Sequence, residues 1–203
     1  VEWEKIDIGE RIAPLTVKHK IVGESSSEIE ITGLLDGQYE RGAALIHYVK
    51  LKPKHYIAAW ISYLLSNREV HLLGLSESKS AVHYRFGVPD GGEDAADFNR
   101  EQELKTVLDI YQQGLQRPIS LWINAGWEYI SKQERGDDVA LKAALTKLRR
   151  ESLGEGFDAW DPSPEVEKIR EGVAAEEIFD EDFEYYCSTL LSKIKKYMVE
   201  VTL

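Results

Sequence analysis

Cysteine and methionine each occur once in the 203 residues. The single cysteine, Cys187, excludes an internal disulfide and a cysteine-rich zinc site. It reads as a small residue on a buried helix face. No apolar run is long enough to cross a bilayer, and no signal-peptide pattern is present. There is no internal repeat and no low-complexity tract. Positive charge is scarce: 25 Lys and Arg stand against 36 Asp and Glu, a formal charge of −11. Affinity for phosphate requires clustered cations, so this balance argues against the piece being a major nucleic-acid binder by itself. The chain opens Val1-Glu2-Trp3 with no initiator methionine, which reads as a cut inside a longer protein.

What remains is a globular composition, 43% hydrophobic and 30% charged, enough for one domain with a substantial core. Five Trp and ten Tyr suit dense packing and a protein interface.

The most informative stretch runs from Ile29 to Lys54. Ile29, Ile31 and Leu35 form one β-prone run; Leu45, Ile46, Val49 and Leu51 form another. Asp36-Gly37 and Arg41-Gly42 mark turns, because glycine tolerates positive φ. The expectation is a hairpin of these two strands, with Pro53 opening a helix at a position where its missing N–H costs nothing. Residues 15–22 alternate well enough for a preceding strand, so the domain is expected to open as a mainly antiparallel meander.

Residues 53–66 carry Ile57, Trp60, Ile61, Leu64 and Leu65 at helical spacing, with Trp60 as core and Asn67 as a left-handed end. Two more strands, 69–76 and 80–86, flank Glu77-Ser78-Lys79. Their alternation places His71 and His83 together on one face. Two histidines are one or two ligands short of a zinc site, and a half-exposed sheet face is the plainer reading. A loop follows over 88–94. A helix is expected from about Ala95 to a stop at Gly114, followed by a short extended segment burying Ile119 and Leu121. Helices are expected at 124–132 and 137–150, the second capped by Asp137. A Gly- and Pro-containing loop spans 151–164, and a short helix ends at Gly172. Six acids crowd 176–184, where the start of the last helix favours negative charge. That helix aligns Phe183, Tyr186, Leu190, Ile194 and Tyr197. Two basic clusters, Lys50, Lys52, Lys54 with His55, and Lys193, Lys195, Lys196, read as solvated faces.

Gly33-Leu34-Leu35-Asp36, followed by a strand, resembles the cation-binding core of the PD-(D/E)XK nucleases, in the version found in RecB-type helicase–nucleases. There an Asp and a second acid hold a divalent cation and a Lys supports the attacking water. Here Leu45-Ile46-His47-Tyr48-Val49 stands where L-L-D-Y-K is expected. His47 takes the place of the acid and Val49 that of the Lys, with Lys50 one residue out of register. A one-residue step on a strand reverses the face. Magnesium needs oxygen ligands, and imidazole is a poor substitute. On its own, Asp36-Gly37 is a turn signal.

Gly114-Leu115-Gln116-Arg117-Pro118-Ile119-Ser120-Leu121 resembles a segment of the RecC and RecB families. With the order of elements, the chain resembles the C-terminal region of the gamma chain of exodeoxyribonuclease V, the RecC family. The resemblance implies an α/β (α+β) fold with a restriction-endonuclease-like core: a mixed, mainly antiparallel sheet flanked by helices, with a helical C-terminal half. A single nuclease-like domain over 1–203 is expected, with its core at 15–121 and a helical extension at 122–203. The implied role is non-catalytic: subunit assembly and DNA strand handling beside RecB-like and RecD-like subunits in the cytoplasm during double-strand-break repair. Magnesium and ATP belong to those partners, and no catalytic residue, metal or cofactor is expected in this domain. Two rivals stand. One is a live magnesium-dependent exonuclease that recruits Glu28 or Glu30, with Lys50 as a shifted base. The other is a stand-alone protein-binding domain.

Overall fold

The computed structural model describes residues 6–22, 28–88, 98–152, 177 and 179–202. Contacts divide the chain into two compact units, one of residues 1–109 with 194–203, the other of residues 110–193.

In the first unit the strands β1 (Leu15–Val22) and β2 (Glu28–Leu35) form an antiparallel pair, with Leu15 opposite Leu35 and Val22 opposite Glu28. A second sheet has the order β3-β4-β5-β6-β7, where β3 is Gln38–Tyr39, β4 Gly42–Lys50, β5 Val70–Leu75, β6 Ala81–Phe86 and β7 Met198–Val201. The expected hairpin between Ile29–Leu35 and Leu45–Leu51 is therefore corrected. Residues 28–35 pair with β1, and only Gln38 and Tyr39 pair with β4. The reason is a break at Gly37. Its φ of +69° turns the chain, and its carbonyl accepts from the Ala44 N–H at 2.8 Å. Arg68 then fixes the tight turn by donating through Nη2 to the carbonyls of Tyr39 and Glu40, at 2.5 and 2.6 Å.

The expected meander is corrected as well. β4 and β5 are parallel, joined by the helix α1 (Pro53–Ser66), since parallel neighbours require a crossover. β5, β6 and β7 are antiparallel. Strand β7 lies beyond the last element read from the sequence. Val199, Glu200, Val201 and Thr202 alternate in the manner of a short strand, and the four residues of β7 are held by β6, with His83 opposite Val201 and Phe86 opposite Met198.

Pro53 opens α1 and Asn67 ends it at φ 53°, as expected. The buried stripe is shifted, however. Ala59, Trp60, Tyr63 and Leu64 are buried, whereas Ile57, Ile61 and Leu65 are half-buried. An aromatic cluster draws the helix round. The Trp60 ring stacks on Tyr197 at 5.5 Å and 9°, and meets Phe98 edge-on at 6.2 Å. The last carbonyls of α1 are satisfied by other elements: Arg100 Nη1 donates to Leu64 O at 3.1 Å and the His19 ring bonds Leu65 O at 2.9 Å. This answers the need of a helix end for partners.

The boundary between the units falls within α2 (Arg100–Gln116). Gly114 does not stop this helix, which continues to Gln116. In the second unit α3 (Ile123–Lys132) is followed by a tight turn at Gln133–Arg135 and then by α4 (Asp137–Ser152). Ala140, Ala144 and Leu148 are buried. Asp137 is the first residue of α4 rather than its cap, because the Gly136 carbonyl accepts from the Ala140 N–H. Asp180 caps α5 (Glu181–Tyr186) by accepting from the Phe183 N–H at 2.9 Å. The final helix is not uniform. A π-helical turn at Cys187–Leu191 precedes α6 (Ser192–Lys196), and Phe183, Tyr186, Cys187 and Leu190 are buried. Burial pushes the Cys187 thiol up to about 12, which makes it unreactive. α4 runs on through Glu151 and Ser152, where a loop is expected; most of the loop expected at 88–94, the rest of the loop at 151–164 and the short helix ending at Gly172 lie outside the described residues.

A broken acidic motif and a buried histidine pair

Asp36 sits between β2 and β3 with an exposed side chain, and its backbone carbonyl accepts from Gln38 Nε2 at 3.2 Å. The Gly37–Ala44 hydrogen bond runs this segment alongside β4. The remaining positions of the motif fall on an irregularity. The β4–β5 register is regular from Ala43 opposite Val70 to Ile46 opposite Leu73, and it resumes with Lys50 opposite Leu75. Four steps along β4 thus match two along β5. A bulge of this kind bends the strand and breaks the alternation of faces. Strict alternation therefore does not set the face on which Lys50 lies; the bulge does. No glycine or proline between His47 and Val49 announces it.

Each motif side chain has a definite setting. The His47 ring packs on His55, centroids 4.4 Å apart and tilted by 36°. Burial is the main cause lowering the pKa of both rings, and the Lys54 charge adds to it; His47 and Lys52 lower His55 further. His55 Nδ1 accepts from the Lys52 N–H at 2.8 Å, so its ring proton is on Nε2. Tyr48 is 83% exposed and Val49 54% exposed. Lys50 is paired with Glu77. The alternative acids are on the other sheet and already engaged, Glu28 with Lys20 at 2.5 Å and Glu30 with Lys18 at 2.7 Å. This donor set does not fit magnesium. It offers one carboxylate, an imidazole and an aliphatic side chain where a hard cation requires oxygen. Among the described residues no three His, Cys, Asp or Glu side chains are grouped to hold a metal ion.

The second constellation is buried. His71 and His83 do fall on one face, but they are 6% and 3% exposed, which corrects the expectation of a half-exposed surface. They form a chain with a carboxylate: Glu69 Oε1 lies 2.9 Å from His71 Nε2, and His71 Nδ1 lies 2.9 Å from His83 Nε2. Arg85 Nη1 lies 3.4 Å from the other Glu69 oxygen. The four side chains line a cavity of about 660 Å³ beside β7. A neutral chain satisfies every contact: His71 Nε2–H donates to Glu69, and His83 Nε2–H donates to the His71 Nδ1 lone pair. Burial lowers both imidazoles to about 4; the Arg85 charge adds to it at His71, and at His83 the His71 and Arg85 charges add to it and outweigh the raising effect of Glu69. Alternation along β5 and β6 predicts the pairing of the rings. The link to Glu69, which precedes β5, has no periodic signal.

This pair makes stability depend on pH. Folded values near 4 lie below the unfolded value near 6.5, so between these limits the unfolded chain binds more protons. Stability is full above about pH 6.5 and falls as the pH drops toward 4. From pH 7.5 to pH 5 the expected loss is about 2 kcal/mol for the pair's first proton. Urea midpoints at the two pH values measure it, and His83→Phe is expected to reduce the dependence. Equal midpoints for the parent chain would contradict the assignment.

The fold is thus a mixed α/β sheet flanked by helices. The model of the RecC C-terminal domain family matches residues 3–134, from before β1 to the turn after α3. The chain belongs to this family, that of the RecC subunit of RecBCD DNA-repair complexes. No curated protein matches the chain. No helix among the described residues is long and apolar enough to cross a membrane.

Proposed function

We propose that this chain is a non-catalytic, nuclease-like module of a RecBCD-type helicase–nuclease. It acts in subunit assembly and in handling DNA strands during double-strand-break repair and recombination. Its partners are RecB-like and RecD-like subunits, and DNA is met within that complex. Magnesium and ATP serve the partners. The carrying observation is the composition of the β4 bulge: His47 and Val49 occupy the places of acid and lysine, and Lys50 is held by Glu77. A restriction-endonuclease ancestry accounts for a strand–helix–strand crossover beside a Gly-x-x-Asp segment. It also accounts for the loss of the side chains that chemistry needs and structure does not.

Co-expression tests the reading. The chain, within its parent polypeptide, is expected to co-purify with RecB-like and RecD-like subunits. The assembled complex is expected to keep its full nuclease activity when Asp36→Ala is introduced. Failure to recover either partner would favour a stand-alone binding domain. Loss of nuclease activity in an intact Asp36→Ala complex would favour the live enzyme.

A further inference from the structure

The acidic run that opens α5 divides by what its side chains touch. Asp180 caps the helix at the Phe183 N–H and accepts from Ser120 Oγ at 3.0 Å. Asp182 pairs with Arg117 at 2.7 Å. Glu181 and Glu184 have no cation partner among the described residues. Spaced three apart, they lie on one side of the helix and line a cavity of about 370 Å³ within the second unit. Tyr129 of α3 and Tyr185 of α5 line it too. Tyr129 is only 6% exposed, and its ring meets Phe183 edge-on at 5.7 Å. Its hydroxyl has no hydrogen-bond partner among the described residues and opens on the cavity. A buried polar group in that state calls for a partner. Burial raises this phenol above its ordinary pKa and the Glu184 charge adds to it, so the carboxylate stands close to the ring. The Tyr185 ring is 48% exposed and is braced edge-on by Tyr186.

We propose that this cavity receives the guanidinium of an arginine from a partner subunit, with Glu181, Glu184 and the Tyr129 hydroxyl accepting its N–H groups and the Tyr185 ring beside its face. All three oxygen-bearing side chains can accept, and a planar cation with five N–H donors matches them. Arginine also stacks on aromatic rings and is more weakly hydrated than an ammonium, which disfavours lysine. A divalent metal needs about six oxygens. Here no three acidic or imidazole groups are drawn together among the described residues, and the Ser188 hydroxyl already donates to the Tyr185 carbonyl at 3.0 Å. A phosphate is repelled by the two carboxylates. Charge complementarity names the partner surface: a basic segment meets a chain of net charge −11 where two glutamates lack counter-charges. The proposal rests on the subunit-assembly reading above and gives it a place and a residue type.

NMR titration of the whole 203-residue chain tests the pocket. The probes are Gly- and Ser-flanked peptides differing only in a central arginine, lysine or citrulline, the last a neutral near-isostere of arginine, at matched ionic strength. The arginine peptide is expected to shift the Gln133 side-chain amide and the Ser188 and Ser192 N–H resonances, and the citrulline peptide to leave them in place. Glu184→Gln is expected to weaken binding about fivefold and Tyr129→Phe about threefold. Tyr129→Phe is expected not to lower the thermal midpoint, since the hydroxyl has no hydrogen bond to lose. Equal shifts with the citrulline peptide, equal affinity for the lysine peptide, stronger shifts with Mg²⁺ alone, or unaltered binding in both variants would overturn the site. Co-purification then tests the partner. Glu181→Gln combined with Glu184→Gln in the parent polypeptide is expected to reduce recovery of one subunit. Recovery of both subunits at the parental level would overturn the interface and leave the assembly reading standing. Arginine-selective binding by a chain whose parent polypeptide recovers neither subunit would support the pocket and count against the assembly reading.

Discussion

Trp60→Ala is expected to destabilise the first unit by about 3–5 kcal/mol, the range for deleting a buried large aromatic side chain. The indole is 1% exposed, and its removal leaves a cavity that the surrounding rings cannot fill. Tyr197 loses its stacking partner, while Phe98 and Tyr63, with ring centroids 6.2 and 5.5 Å from the indole, lose an edge and a face. Tyr197 directly precedes β7, so the damage extends to the strand that closes the sheet against β6. Domains of this size are stable by only about 5–15 kcal/mol. Urea unfolding would show a large fall in midpoint, and limited proteolysis would show early cleavage near β7. Trp60→Phe keeps a ring in place and is expected to lose roughly half as much. A loss below about 1 kcal/mol for the alanine variant would mean that Trp60 is not the centre of this core.

Gly37→Ala is the second change with a large expected effect. The backbone at Gly37 has φ +69°, a region that costs an L side chain about 1–2 kcal/mol. An added Cβ would also lie 2.4 Å from the Ala44 carbonyl oxygen. That atom belongs to a paired strand and cannot swing aside as a side-chain tip can. The change is expected to cost about 2–4 kcal/mol in total and to disturb the Ala44 N–H to Gly37 carbonyl hydrogen bond. Amide hydrogen exchange at Ala44 measures this locally, and urea unfolding measures it globally. Unchanged protection at Ala44 would show that the break between β2 and β3 does not depend on glycine.

These two positions differ in how plainly the sequence announces them. Trp60 lies in a helical stripe bounded by Pro53 and Asn67, and both ends and the core residue were legible, because helix signals are local. The β5–β6 hairpin was equally plain. Its turn residues lie between two alternating runs, and Lys79 adopts φ 63° there. Gly37 was legible as a turn but not as the point where one strand leaves a sheet. β2 is paired along its whole length with β1, its neighbour in the chain, and so is not available to β4. The parallel pairing of β4 with β5 and the return of β7 to β6 are non-local. The candidate site divides in the same way. His47 and Val49, which stand where the resembled motif has an acid and a lysine, are readable residue by residue. The bulge that carries them is set by the mismatch between β4 and β5, which neither segment encodes alone. Alternation brings His71 and His83 together, but burial and the contact to Glu69 follow only from the folded sheet.

The most direct test of the broken-motif account is hydrolysis itself. The purified chain is incubated with linear duplex and single-stranded DNA in the presence of Mg²⁺ or Mn²⁺, alongside Asp36→Ala. The account predicts no digestion above buffer for either protein; metal-dependent digestion by the parent chain that disappears in Asp36→Ala would contradict it.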